Sequence, residues 1–157
     1  MSVGNRSDNE PGALAGRSIG VNRSAKYATA IVVAHLLVNI AHGFAHHELR
    51  IGLTSPASIF VIVVVLVFPL IAAGLVWTAE KRLGLILLSL SMFGSLVFGL
   101  YQHFLVVSSD HVHLQPSSPW GITFVLSAYL LLITEAIGTY IGFHFLWVAK
   151  EHSNKRG

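Results

Sequence analysis

The sequence contains no cysteine. This absence excludes disulfide bonds, thiolate metal sites, cysteine-ligated iron–sulfur clusters and CxxC redox motifs. Charged residues are also scarce: they make up 11% of the 157 residues, whereas about a quarter of the residues of a soluble domain are charged. No P-loop or dinucleotide-binding fingerprint occurs. The one match to the G-x-S-x-G pattern, residues 16–20, lies in the polar segment before the first apolar run and follows no predicted strand.

Hydrophobic residues, in contrast, make up 54% of the chain. They form unbroken blocks near the length of about 20 residues that crosses a hydrocarbon core, and they do not alternate with polar residues as in a membrane barrel. We therefore predict an all-α integral membrane protein with one domain, residues 27–148. Small residues recur every four positions on the third and fourth spans, a pattern that lets helices approach closely in lipid, so we expect a four-helix bundle. The expected spans are approximately residues 27–47, 58–78, 83–107 and 120–148.

The two ends of the chain are polar. Residues 1–26 are rich in glycine, serine, asparagine and charge, and we expect a disordered basic arm there; residues 149–157 form a polar tail. Nine of the ten Lys and Arg residues precede the first span, separate the second from the third, or follow the fourth. With four spans these positions are all on one side of the membrane, and Arg50 alone is on the other. The positive-inside rule then places both termini in the cytoplasm (N-in/C-in), and the expected location is a bacterial inner membrane. Because these basic residues flank apolar spans and form no single patch, they do not indicate nucleic-acid binding.

Histidine is unusually common, with nine residues in so short a chain. The first span carries His35, Asn39, His42 and His46, at spacings of four, three and four residues, which places them on one face of a helix. A lipid-facing surface would not accept such a polar stripe. We therefore expect this face to point into the helix bundle.

Several histidines and carboxylates gather at the outer membrane boundary in this topology. His42 and His46 end the first span, which runs outward; His103 lies near the outer end of the third span, and the following loop contains more. Neutral imidazole is the commonest protein ligand for transition metals, and histidines at positions i and i+4 of a helix point in the same direction. We predict a site for Cu, Fe or Zn whose candidate ligands are His42, His46, His103, Asp110, His111 and His113.

A b-type haem is the second form of the same hypothesis. It requires two axial histidines at equal depth on facing helices, and His42 and His103 meet this requirement, with Gly43 and Gly99 beside them to make room for the porphyrin. The opposing interpretation is that these histidines are only solvated at the membrane surface.

Glu135 lies near the middle of the fourth span, where a carboxyl group needs a partner. His35 is expected at a similar depth, and Asn39 lies on the same face of the first span. We expect these three residues either to relay protons or bind a quinone headgroup next to the outer site, or to form a buried hydrogen bond between helices. His144 lies on the opposite side of the fourth span from Glu135 and has no assigned role.

The sequence thus predicts a small membrane protein with a metal or haem site that serves electron transfer, metal handling or oxygen chemistry; as an enzyme, it would be a metal-dependent membrane oxidoreductase. Two alternatives stay open. One is a proton- or ion-conducting protein that uses His35 and Glu135. The other is a non-catalytic subunit or assembly factor of a larger membrane complex. The expected surroundings are the lipid bilayer, with other membrane subunits or further copies of the chain as partners.

Overall fold

The computed structural model describes residues 11–154, and the side chains of residues 23–151. The described chain is helical and contains no β-strand, which confirms the predicted all-α class. A short 3-10 turn, Val112–Leu114, lies in the last connection. Each long helix contains a stretch that is long and apolar enough to cross a membrane. The four helices are α1 (Pro11–Glu48), α2 (Ser55–Leu75), α3 (Lys81–Leu105) and α4 (Pro119–Asn154).

The helices extend beyond the expected spans at both chain ends. α1 begins at Pro11, so residues 11–26 are helical where the sequence indicated a disordered arm. Proline is tolerated in the first turn of a helix, and extending an existing helix costs far less than starting a new one. α4 likewise continues to Asn154 through most of the expected polar tail. Residues 1–10 and 155–157 lie outside the described residues.

α2 is the least buried of the four helices. Only 17% of its most apolar window is buried, against 33–39% for the other three helices, as its nearly pure Val, Ile, Leu and Phe composition predicts. Its middle part, Val61–Val67, is π-helical and immediately precedes Phe68–Leu75, which contains Pro69. Proline cannot donate a hydrogen bond to the preceding turn and its ring crowds that turn, so a widened turn at this point has a local cause.

The helices pack in a ring of neighbours: α1 on α4, α4 on α3, α3 on α2, and α2 back on α1. α1 packs against Phe68–Leu75 of α2, whereas residues 61–67 pack against α3 instead. We call the end of the molecule with the α3–α4 connection the loop end, and the opposite end, with the α2–α3 turn, the turn end. α1 and α2 therefore meet near the turn end and separate toward the loop end.

Two glycines bring α3 and α4 close together. A Cβ atom at Gly138 would lie 2.8 Å from Met92 Cγ, and a Cβ atom at Gly142 would collide with the Ser89 side chain and lie 3.1 Å from the Leu85 carbonyl oxygen. The GxxxG pattern of the fourth span thus serves a contact within the chain. This contact fixes α4 against α3 and so sets the relative position of the polar side chains that both helices carry.

Candidate metal centre

Three histidines meet at the loop end of the helices. His42 and His46 stand one turn apart on α1, and His103 comes from α3; the ligand nitrogens of all three lie within 4.8 Å of one another. His42 and His103 are buried and His46 is half-buried. Phe124 of α4 packs against the three rings, at centroid distances of 4.7, 5.0 and 5.4 Å. Three of the six predicted ligands thus form one histidine cluster, and a fourth, Asp110, lies beside it.

Hydrogen bonding fixes which nitrogen of His42 carries its proton. His42 Nδ1 lies 2.8 Å from Ser127 Oγ. The single hydroxyl hydrogen of Ser127 is directed to backbone carbonyl oxygens of its own helix, those of Thr123 at 2.6 Å and Phe124 at 3.0 Å. Ser127 Oγ must therefore accept a hydrogen bond from His42 Nδ1–H. Nε2 of the neutral ring is left with its lone pair, and this buried atom has no hydrogen-bond partner.

The same argument applies to the other two rings. His103 Nδ1 lies 3.0 Å from the backbone carbonyl oxygen of Asp110, and His46 Nδ1 lies 3.4 Å from that of Ile51. A carbonyl oxygen only accepts, so in both rings Nδ1 carries the hydrogen and donates it. All three neutral imidazoles then present Nε2 lone pairs at the cluster. Such outer hydrogen bonds are the usual means by which proteins orient metal-binding histidines.

The Asp110 carboxylate completes the cluster. Its Oδ1 lies 3.1 Å from His46 Nε2 and 3.4 Å from His103 Nδ1, but it is buried without a well-aligned hydrogen bond. Burial alone would raise the pKa of this carboxyl; the interactions with the imidazoles of His103 and His46 outweigh that effect and hold the pKa below its usual range. Asp110 Oδ1 and His46 Nε2 thus face each other at 3.1 Å, and a proton or a metal cation between them stabilises the arrangement.

Two irregular backbone segments aim these side chains. His103 lies in the π-helical turn Tyr101–Leu105, in which Val106 N–H donates to the Tyr101 carbonyl oxygen. Single π-helical turns within α-helices occur often at functional sites. At the end of α1, Arg50 has a left-handed conformation with φ of 54°, and this turn brings the Ile51 carbonyl back to His46.

The remaining predicted ligands lie outside the cluster. His113 N–H donates to His111 Nδ1 at 3.2 Å, and the two rings face each other at a centroid distance of 5.4 Å. His113 is exposed and His111 is half-buried, whereas His47 and His144 are exposed. His144 stacks on Tyr140 with the ring centroids 5.5 Å apart.

A cavity of about 350 Å³ extends from the cluster toward the middle of the helices. Its loop end is lined by the three clustered histidines and Asp110, its walls are mostly apolar, and its deep end contains Asn39, Ser95 and Glu135. The sequence indicated two separate sites, the outer cluster and the Glu135 pair. In the structure, one cavity connects the cluster with Glu135.

The deep end contains the pair that the depth of the spans predicts. His35 Nε2 lies 3.3 Å from Glu135 Oε1, and both side chains are almost fully buried. Asn39 Nδ2 lies 3.0 Å from His35 Nε2 and 3.0 Å from the His35 carbonyl oxygen. Glu135 Oε2, in contrast, has no hydrogen-bond partner. It lies close to Gly99 on the cavity wall, since a Cβ atom added to Gly99 would be 3.7 Å from this oxygen.

Sequence reasoning missed Ser127 and Phe124. A signal for Ser127 was present, because it is a polar residue eight positions, or about two turns, before Glu135 on the same helix. Phe124 carries no such signal, since an aromatic residue in an apolar span is not distinguishable from its neighbours.

Comparisons of the chain with protein-family models, with curated proteins and with solved structures found no match in any of the three.

Proposed function

We propose that this chain is an integral membrane protein that binds one transition-metal ion through His42, His46 and His103, with Asp110 as a neighbouring or fourth ligand. The convergence of three Nε2 lone pairs, each left over after Nδ1 has donated its hydrogen, carries the proposal. Charge distribution along the chain supports an N-in/C-in four-helix bundle, with the metal near the outer surface of a bacterial inner membrane.

A cation accounts for groups that are otherwise unfavourable. His42 Nε2 and Asp110 Oδ1 are buried without hydrogen-bond partners, and burying a polar atom in this state costs about 1–3 kcal/mol in proteins. A set of imidazole nitrogens with one carboxylate oxygen suits Zn, Cu and Fe. The metal replaces the missing partners of both atoms at once.

The spacing of the histidines favours a simple metal ion over haem. Two axial histidine nitrogens stand about 2 Å above and below a haem iron, so that they are about 4 Å apart with the porphyrin between them. A third nitrogen within 4.8 Å of both would lie about 4.4 Å or less from the iron, in the plane that the porphyrin occupies. The three-histidine cluster and a porphyrin are therefore incompatible.

The cavity favours a centre that acts on a small molecule. Structural metal sites are closed by four protein ligands, whereas catalytic sites keep a position open to water or substrate. The histidine cluster forms one end of the 350 Å³ cavity, so a molecule in the cavity has access to the metal. We favour a metal-dependent membrane enzyme on this ground, with redox chemistry if the metal is Fe or Cu.

The other two functions considered for the sequence have less support. Toward the turn end from Glu135, the described interior is mainly an apolar cluster that includes Val32, Leu88 and Met92. The buried hydroxyls of Ser89 and Ser91 there donate to carbonyls of their own helix, so the described residues offer a proton or ion no chain of buried titratable groups. Gly138 and Gly142 of α4, small residues at which a helix of another subunit could approach closely, already contact α3.

Metal analysis of the purified protein, with an optical spectrum of the same sample, tests the proposal. We expect about one Zn, Cu or Fe ion per chain in the wild type, and less than a tenth of that in His42→Ala, His46→Ala and His103→Ala. His111→Ala and His113→Ala are matched controls, since they remove histidines of the nearby loop that are outside the cluster, and they should keep the metal. A wild type that binds none of these ions after reconstitution contradicts the proposal, and a Soret band contradicts the exclusion of haem.

A further inference from the structure

The cavity beside the histidine cluster has an opening toward the lipid. Gly43 lines the cavity and is exposed, and a Cβ atom there would meet nothing within 4 Å. Ser58 and Val61 of α2 also line the cavity and are half-buried. α1 and α2 separate in this region, since α1 packs against α2 mainly through Phe68–Leu75. An apolar molecule dissolved in the bilayer could therefore reach the cavity here.

The walls select an uncharged, mainly apolar molecule. Phe98, Val65, Leu131 and Leu132 line the cavity, and Phe98 is held in place by stacking on Phe60 at a centroid distance of 4.7 Å. A volume of about 350 Å³ is at the lower end of the range of ligand pockets, about 300–1,000 Å³. It fits a molecule with one ring.

The deep end of the cavity requires a hydrogen-bond donor from its occupant. Asn39 Nδ2, which can only donate, lies 3.0 Å from His35 Nε2, so Nε2 is an acceptor. A neutral Glu135 therefore donates its proton to His35 Nε2 from Oε1, 3.3 Å away. Its Oε2 is then a carbonyl oxygen, which only accepts. This atom is buried and without a partner, so a hydroxyl group on the occupant satisfies it.

We propose that the cavity binds a lipid-soluble phenol or hydroquinone, with a ring hydroxyl donating to Glu135 Oε2 and the opposite end of the ring facing the histidine cluster. This inference names the class of ligand that binds beside the proposed metal. It rests on the proposed function only in so far as a metal ion, bound by the histidine cluster, faces the ligand at the loop end. Gly99 makes the hydrogen bond accessible, because a larger side chain there would stand between the ring and Glu135.

Binding of two matched probes to the protein in lipid nanodiscs tests the inference. 4-Ethylphenol can donate a hydrogen bond, whereas 4-ethylanisole has the same ring with a methyl ether in place of the hydroxyl. By calorimetric titration, with empty nanodiscs subtracted, we expect the phenol to bind about ten- to a hundredfold more tightly than the ether, the effect of one hydrogen bond to a buried acceptor. Equal binding of the two probes, or no binding of the phenol, overturns the inference.

Two variants of Glu135 separate the acceptor from the charge. Glu135→Leu should weaken phenol binding to the level of the ether. Glu135→Gln should keep most of the preference for the phenol, because its amide N–H can donate to His35 Nε2 while its carbonyl oxygen takes the place of Oε2. Loss of the preference in Glu135→Gln shows that the contact needs an ionised carboxylate, which contradicts the neutral hydrogen bond proposed here.

The position of the site is tested at its opening. Gly43→Leu should abolish binding of both probes by filling the entrance, while Gly74→Leu, at an exposed glycine of α2 outside the cavity, should leave it unchanged. Unchanged binding in Gly43→Leu overturns the assignment. Thermal unfolding and metal content are measured on every sample: folded, metal-loaded protein that binds no phenol contradicts this inference alone, whereas absence of metal contradicts the proposed function.

Discussion

Ser127 is the single residue on which the chemistry of His42 depends most. Because its hydroxyl hydrogen goes to backbone carbonyls of its own helix, it accepts from His42 Nδ1 and leaves Nε2 unprotonated. A serine in an apolar helix thereby selects the tautomer that binds metal. The role follows from counting hydrogens and is independent of which metal is bound.

We expect Ser127→Ala to weaken metal affinity by about 10- to 100-fold, the usual effect of removing the outer partner of a metal-binding histidine. Competition with a chelator of known affinity measures the change. Ser91→Ala is the control, since Ser91 is equally buried and its hydroxyl donates to the Leu88 carbonyl, within its own helix. If the two variants bind metal equally well, Ser127 does not orient His42.

Residue positions on helices were predictable from the sequence, whereas those in the loop were not. Helical periodicity placed His42 and His46 on one face, and span depth paired His35 with Glu135. After α3, neither rule applies. The loop contains a 3-10 turn at Val112–Leu114, in which His113 is exposed, whereas Asp110, just before it, is buried. Both residues are polar and close in sequence, so the sequence could not show which of them faces the cluster.

At the level of elements, the contact between α3 and α4 determines how closely their polar side chains approach. Gly142 is the tightest point, because a Cβ atom there would meet the Leu85 backbone carbonyl as well as Ser89, and a backbone atom cannot rotate away. At Gly138 the neighbour is the flexible Met92 side chain, which adapts more readily.

We therefore expect Gly142→Ala to destabilise the protein by about 1–3 kcal/mol, the usual cost of overpacking, and to lower the unfolding midpoint in detergent. Gly74→Ala makes the same chemical change at a helical position with nothing within 4 Å of the new Cβ atom; there the better helix propensity of alanine should leave stability unchanged or raise it by up to about 1 kcal/mol. Equal stabilities of the two variants would show that α3 and α4 do not approach as closely as described.

The helical elements themselves were largely readable from apolar runs, but their irregularities were not. Val61–Val67 and Tyr101–Leu105 are π-helical. Val61–Val67 is entirely apolar, so its hydrophobic pattern is the same on every face and shows no trace of a wider turn. Tyr101–Leu105 has only five residues, too few to show a change of period. The extension of α1 to Pro11 was missed for a related reason. Polar helical turns that continue a span are indistinguishable from a polar arm when hydrophobicity is the only guide.

At the level of the whole molecule, the topology in the membrane is the main prediction still to be tested. The absence of native cysteine makes the protein suited to labelling, since one introduced thiol is the only reactive one. Ser117 in the α3–α4 loop and Glu80 in the α2–α3 turn are exposed and lie at opposite ends of the helices.

In intact cells we expect a membrane-impermeant maleimide to label Ser117→Cys and not Glu80→Cys, and to label both after permeabilisation, as the distribution of Lys and Arg requires. The unmodified chain should remain unlabelled in both conditions. The reverse pattern contradicts the N-in/C-in orientation and places the histidine cluster on the cytoplasmic side.

The histidine cluster also has a consequence for the order in which the protein is made. His42 and His46 enter the membrane with α1, long before the ribosome has completed α3, which supplies His103, and α4, which supplies Ser127. A nascent chain that holds only α1 and α2 has two of the three histidines but lacks Ser127, the partner that fixes the tautomer of His42. If the cluster binds an ion as proposed, metal capture follows insertion of the last helix, and a chain that has acquired its ion is one whose helices are all assembled.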